Sequence, residues 1–138
     1  MAHWLYPANV KIYDVMGAFS IPETLWPMNS KVSVGDRIYI YLAAPHSQIF
    51  AISDVAETDI DQADCIDEIR HLIKGPIDQN KSSKPFMKLT KKSEIPLDAS
   101  SRLGYSCLKE NGLNGMLMGP RKLENCPNLF TYIKGLTP

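Results

Sequence analysis

Residues 31 to 43, KVSVGDRIYIYLA, limit the fold more than any other stretch. Gly35 and Asp36 supply a turn, and RIYIYL then alternates apolar and amphipathic side chains, the spacing of a strand. Ile38, Ile40 and Leu42 fall on one face, and Arg37, Tyr39 and Tyr41 on the other. The second set is amphipathic, so that face is expected to be half-covered or to border a cleft. A loop at Pro45 to Gln48 leads to a further strand over Ile49 to Thr58, which makes a hairpin with a long connection.

The surrounding chain interleaves short strands with short helices. HWLYP, residues 3 to 7, is a strand stopped by Pro7, and Asn9 can cap a helix with Ile12, Val15, Met16 and Phe19 on one face. A loop through Pro22 and Pro27 then delivers Trp26. Residues 59 to 75 carry Ile66, Ile69 and Ile73 at helical spacing and close with Gly75, and Asp78 to Lys84 is an exposed loop. A strand is expected over Phe86 to Thr90. A helix from Asp98 or Ser100 through Leu103, Cys107 and Leu108 should end at Asn111 and Gly112. LNGMLMGPRKL predicts another short strand. A last helix opens at Asn125 with Pro127 in its first turn, carries Leu129, Phe130 and Ile133, and ends near Gly135. Strands this closely spaced, with no repeated βαβ unit, exclude a doubly wound sheet. The expected class is α+β: a curved, mainly antiparallel sheet or small barrel decorated by helices.

A chain of 138 residues is one domain, spanning residues 1 to 138, and can bury a core without staples. Cys65, Cys107 and Cys126 form no CxxC pair, and His3, His46 and His71 show no ligand spacing. Neither a disulfide framework nor a metal site is expected, and no cofactor motif occurs. There is no cationic-then-apolar leader and no apolar run near about eighteen residues, so a cytoplasmic protein with no membrane partner is expected. Net charge is zero, yet Asp54 to Glu68 holds acids without a Lys or Arg, and the balance reverses between Lys74 and Lys122. This arrangement fits either two solvated stretches or a folded domain with one positive face.

The sequence lacks GxSxG, HExxH, P-loop and dinucleotide motifs, and the adjacent His46 and Ser47 do not make a triad. Binding has more support than catalysis. Trp4, Tyr6, Tyr13, Trp26, Tyr39 and Tyr41 all lie in the first third of the chain. Flat aromatic faces beside Asn and Gln amides suit a nucleobase, which has a face to stack and an edge to hydrogen-bond. The competing reading is that Trp26 belongs to the core.

The runs HWLYPANVKIYDVMGAF, LW, KVSVGDRIYIYLAAPHSQI and LNGMLMGPRKL, in that order, resemble the EVE domain family. That family belongs with the PUA-like folds, alongside the ASCH and YTH domains. The resemblance covers nearly the whole chain. It implies a PUA-like pseudo-barrel with surrounding short helices and a non-catalytic pocket that reads a modified base in DNA or RNA. It places Trp26 at the pocket wall with Asn29 and Ser30 after it. Pro7, Ala8 and Asn9 would come from the loop after the first strand, and Tyr41, Pro45 and Gln48 from the far end of the VGD strand. Lys88, Arg121 and Lys122 are the implied phosphate contacts. The better-studied branch of the family has a Lys-Ser-Glu sequence and an Arg-Asn pair where this chain reads YPAN and PMNS, so its ligand preference does not carry over. The alternatives are a small hydrolase or transferase acting on a nucleoside-like substrate in the same cleft, or a protein-interaction module using the acidic segment.

Overall fold

The computed structural model describes residues 2–8, 23–27, 31–43, 46–61, 85–97, 102–113 and 119–137. Among the described residues six strands form one sheet: β1 (His3–Ala8), β2 (Glu23–Pro27), β3 (Arg37–Leu42), β4 (Gln48–Ile60), β5 (Phe86–Glu94) and β6 (Arg121–Lys122). The strand order is β2-β5-β4-β3-β1-β6. β1 runs parallel to β3, whereas the β1–β6, β3–β4, β4–β5 and β2–β5 pairs are antiparallel. The sheet is therefore mixed, and its edges β2 and β6 are not paired with each other, so the expected barrel is not closed among the described residues. Helices α1 (Tyr105–Glu110) and α2 (Pro127–Leu136) accompany it, with a 3-10 turn at Leu123–Asn125 before α2. No helix of the described residues is long and apolar enough to cross a membrane.

The alternation in RIYIYL sorts the core into two layers. Ile38, Ile40 and Leu42 join Tyr6, Ala8, Trp26, Phe50, Val55, Met87 and Leu89 on one face. Tyr39 and Tyr41 join Leu5, Ile49 and Ile52 on the other, where Leu108 of α1 and Leu129 and Ile133 of α2 pack over them. The tyrosine face was expected to be half-covered, but Tyr39 is 1% and Tyr41 7% exposed. The two helices cover it, and burial pushes both phenols above the ordinary tyrosine value.

Several local expectations are corrected. Trp26 lies not on a loop but in β2, whose Thr24, Leu25 and Trp26 pair with Leu89, Lys88 and Met87. Pro27 is tolerated because β2 is an edge strand and Pro27 is its last residue. Pro7 does not stop β1, which runs on to Ala8. β6 reaches only Trp4 and Leu5, so on that side of Pro7 no described ladder needs an N–H. β5 extends past Thr90 to Glu94, and β4 continues through Asp59 and Ile60, two residues past the expected strand end at Thr58. Register shifts along β4 bend it, so its first half pairs with β3 and its second with β5. Helix α1 begins at Tyr105; Leu103 precedes it and accepts a hydrogen bond from the Ile49 amide at 3.1 Å. It ends at Asn111 and Gly112 as expected, and Gly112 has the positive φ of +121° that favours glycine. Cys126, not Asn125, precedes α2, and α2 runs past Gly135 to Leu136. Within LNGMLMGPRKL the described strand is only Arg121–Lys122. The helix expected after Asn9, most of the one over 59 to 75, the loop at 78 to 84 and the helix start at Asp98 or Ser100 lie outside the described residues.

One buried group does no evident bonding. Ser53 lies opposite Ile38, and its hydroxyl is buried with no hydrogen-bond partner among the described residues. Replacing it with alanine removes an unpaired polar group, so stability should stay level or rise by up to about 1 kcal/mol. A thermal melt checks this, and a clear loss of stability would show that the hydroxyl is bonded in solution.

Candidate nucleic-acid interface

The residues implicated by the sequence fall into three groups. Pro7 pairs with Tyr41, and Ala8 with Leu42, which in turn pairs with Gln48, so these residues gather at the end of the sheet where β1 and β3 finish. Ala8 sits in the Trp26 layer and Tyr41 in the helix-covered layer. The Gln48 amide donates to the carbonyls of Ile49 and Pro96 at 3.2 and 3.0 Å. Trp26 forms a second group with Lys88, because Trp26 pairs with Met87 and Leu25 with Lys88 near the opposite end of β4. Alternation puts Lys88 on the other side of β5 from Met87, hence away from the Trp26 layer. Trp26 is 4% exposed. Arg121 and Lys122, on β6, make the third group beside Leu5 and Trp4. Asn9, Asn29, Ser30 and Pro45 lie outside the described residues.

The acidic and basic segments meet across the β4–β5 ladder. Lys88 lies 3.9 Å from Glu57, and Lys92 3.9 Å from Asp54, which also accepts from Arg37 Nε at 3.1 Å. The two lysines are open to solvent and their contacts stabilise little, whereas the Arg37–Asp54 pair is partly buried. Their consequence is electrostatic: at these positions the two segments offset each other rather than forming separate charged faces.

A cleft of about 490 Å³ opens where β1 and β3 begin, lined among others by Trp4, Lys31, Gly35, Asp36, Lys122 and Glu124. The VGD turn builds it. Gly35 takes a φ of +92°, and the buried Asp36 carboxylate accepts from the Ala2 amide (2.9 Å), the Ser33 amide (2.9 Å) and the Trp4 indole N–H (3.1 Å). Glu124 is equally committed. It accepts from the His3 amide at 3.0 Å and contacts His3 Nδ1 at 3.0 Å, while the His3 ring lies against Phe130 and Tyr39 with centroids 4.5 and 6.2 Å apart. This contact ties β1 to the turn before α2. On the open side, the Lys122 ammonium stands 6.0 Å from the Trp4 ring centroid. Sequence reasoning identified Asp36 as a turn residue but missed its partners, and it missed this cleft. The pairing of residues 121 positions apart leaves no local signal.

Acid should loosen this end of the molecule. Burial alone would raise the Asp36 carboxyl, but the two amides and the indole together outweigh it and hold the group below its ordinary 3.8. Burial likewise would raise the Glu124 carboxyl, but the hydrogen bonds from the His3 ring and amide outweigh it and hold the group below its ordinary 4.5. Both groups are depressed in the folded state, so their stabilisation is complete above about pH 5 and is lost as pH falls through the unfolded and then the folded values. Urea midpoints measured from pH 6 to 3 should fall, and Asp36→Asn should flatten that fall. An unchanged slope in the variant would remove Asp36 from the account.

Among the described residues no group of His, Cys, Asp and Glu is placed to hold a metal ion. No family model matches the chain. No curated protein matches it by sequence. Solved structures do. The ASCH protein of Zymomonas mobilis superposes with a TM-score of 0.64 at 10% identity, covering 99% of this chain and 96% of that one. A protein from Pseudomonas syringae gives 0.66 at 14% identity, covering 98% and 99%. One from Pseudomonas putida gives 0.64 at 16% identity, also covering 98% and 99%. At such identities the likeness concerns the fold, and it extends over nearly the full length of each chain. The described mixed sheet with its helices is an α+β fold shared with the ASCH protein of Zymomonas mobilis.

Proposed function

We propose that this domain binds nucleic acid without catalysis and receives a modified base in an aromatic pocket walled by Trp26. The observation that supports this most is the apolar layer holding Tyr6, Trp26 and Phe50 together, to which neither described helix contributes. In this reading Asn9, Asn29 and Ser30 offer hydrogen bonds to the base edge. Ala8, which shares the Trp26 layer, completes the surroundings with Pro7 and Pro45, while Tyr41 on the opposite face and Gln48, bonded to Ile49 and Pro96, support that wall from behind, and Lys88, Arg121 and Lys122 contact phosphates. The PUA-like fold and the EVE-like order of motifs are consistent with it. Trp26 is nearly covered, so a base can reach it only if its cover moves.

A base turned out of its stack costs a few kcal/mol, and stacking on an aromatic ring recovers about 1–3 kcal/mol. Trp26→Phe keeps a smaller ring in the layer, so it should fold yet bind a modified oligonucleotide several-fold more weakly. Its binding to the unmodified strand should be almost unaffected. Equal losses on both strands, or none, would move the base away from Trp26.

A further inference from the structure

We infer that the cleft beside Trp4 is a separate binding site for a phosphate-bearing nucleotide unit, with the phosphate held between Lys31 and Lys122 and the flat base reaching the Trp4 indole. It stands apart from the residues gathered at the Ala8 end of β1. At about 3.3 Å per residue, Trp4 and Ala8 are roughly 13 Å apart along the strand.

Three observations converge. The cleft, at about 490 Å³, falls in the size range of small-molecule sites. Its two carboxylates are already engaged: Asp36 holds three N–H donors, and Glu124 holds His3. Its two lysines are not so engaged. Among the described residues neither Lys31 nor Lys122 forms a salt bridge, and Lys122 already stands over the indole face. An anion entering the cleft therefore meets two ammonium groups that hold no carboxylate, while the carboxylates are drawn back onto the protein's own donors. The ligand is further narrowed by what lies beside those cations. Trp4 is only half-buried, and Val34, at the lip of the turn, is 65% exposed. A bare phosphate would use neither, whereas a nucleotide brings an aromatic ring and an apolar sugar edge on the same short scaffold.

The Trp4 indole N–H, fixed on Asp36, is a natural reporter. Its NMR resonance is assigned by Trp4→Phe, and the full chain is titrated with inorganic phosphate, with adenosine monophosphate and with a single-stranded pentanucleotide. The expected result is a saturable shift with the mononucleotide at lower concentration than with phosphate. A matching response to the pentanucleotide identifies a nucleotide within a strand as the source, and its absence identifies a free nucleotide. Lys31→Ala with Lys122→Ala should weaken binding at least about tenfold, because two charge-assisted contacts are lost. The paired arginine variant should retain it, and thermal melts of both should match the parent. No saturable shift, no advantage of nucleotide over phosphate, or unchanged affinity in the alanine pair would overturn the assignment. The mononucleotide titration does not depend on Trp26, so its failure leaves the base-reading proposal standing. Lys122 belongs to both readings, so the cleft is judged on the Trp4 resonance and not on total strand affinity, and loss of base selectivity in Trp26→Phe leaves that resonance's response unchanged.

Discussion

Asp36→Ala should lower the unfolding free energy by about 3 kcal/mol, since hydrogen bonds to a carboxylate contribute about 1.5–3 kcal/mol each and the stranded donors regain only part of that from water. The carboxylate gathers the start of β1 through the Ala2 amide, the VGD turn through the Ser33 amide and the aromatic wall through Trp4. Neighbouring backbone bonds depend on the same turn: the Gly35 amide donates to the Val55 carbonyl at 2.8 Å, and the Val55 amide to the Asp36 carbonyl at 2.9 Å. Losing the side chain thus frees the strand-opening end of β1 and β3 together. Asp36→Asn keeps one acceptor oxygen and should cost less than the alanine variant. Urea unfolding at neutral pH measures both, and an alanine variant within 1 kcal/mol of the parent would be too small for this role.

Trp26→Ala is expected to be the more damaging change, at roughly 3–5 kcal/mol, the usual cost of deleting a large aromatic side chain from a packed core. The indole shares its layer with Met87 and Leu89 from β5, with Ile38 and Ile40 from β3, and with Val55 from β4. Among the described residues β2 pairs with β5 alone, so lost packing there has no second described ladder to offset it. Trp26→Phe should cost much less, which is why it is the variant suited to binding measurements. A small loss on Trp26→Ala would mean that the layer closes over the gap or that the indole is already accessible.

Legibility in the sequence followed the range of the interactions. The alternation in RIYIYL carried β3 and its partition into two faces, because period two is a local property of the chain. Pro127 and the apolar spacing of Leu129 and Ile133 carried α2, and Gly112 carried the end of α1. Trp26 was harder. A tryptophan bracketed by prolines at positions 22 and 27 has loop chemistry nearby, and only pairing with β5, some sixty residues on, makes it a strand. The covered tyrosine face was illegible for the same reason: α1 and α2 reach it from the far end of the chain. Charge misled in a related way. Counted along the chain, acids and bases form separate blocks, but antiparallel pairing sets Glu57 against Lys88. Of the proposed site residues, the order of motifs pointed to Trp26 and to Ala8, and no local pattern pointed to the cleft at Trp4.

The central claim is selective binding of a modified base, and the parent protein tests it directly. Matched single-stranded oligonucleotides, unmodified or carrying one methylated or hydroxymethylated base, are titrated by fluorescence anisotropy at two salt concentrations. The account predicts tighter binding to at least one modified strand, by a factor of about five or more if stacking adds about 1 kcal/mol or more. It also predicts that affinity for every strand falls as salt rises, since phosphate contacts release counterions. Equal affinities across the panel, or no binding at the lower salt, would contradict it.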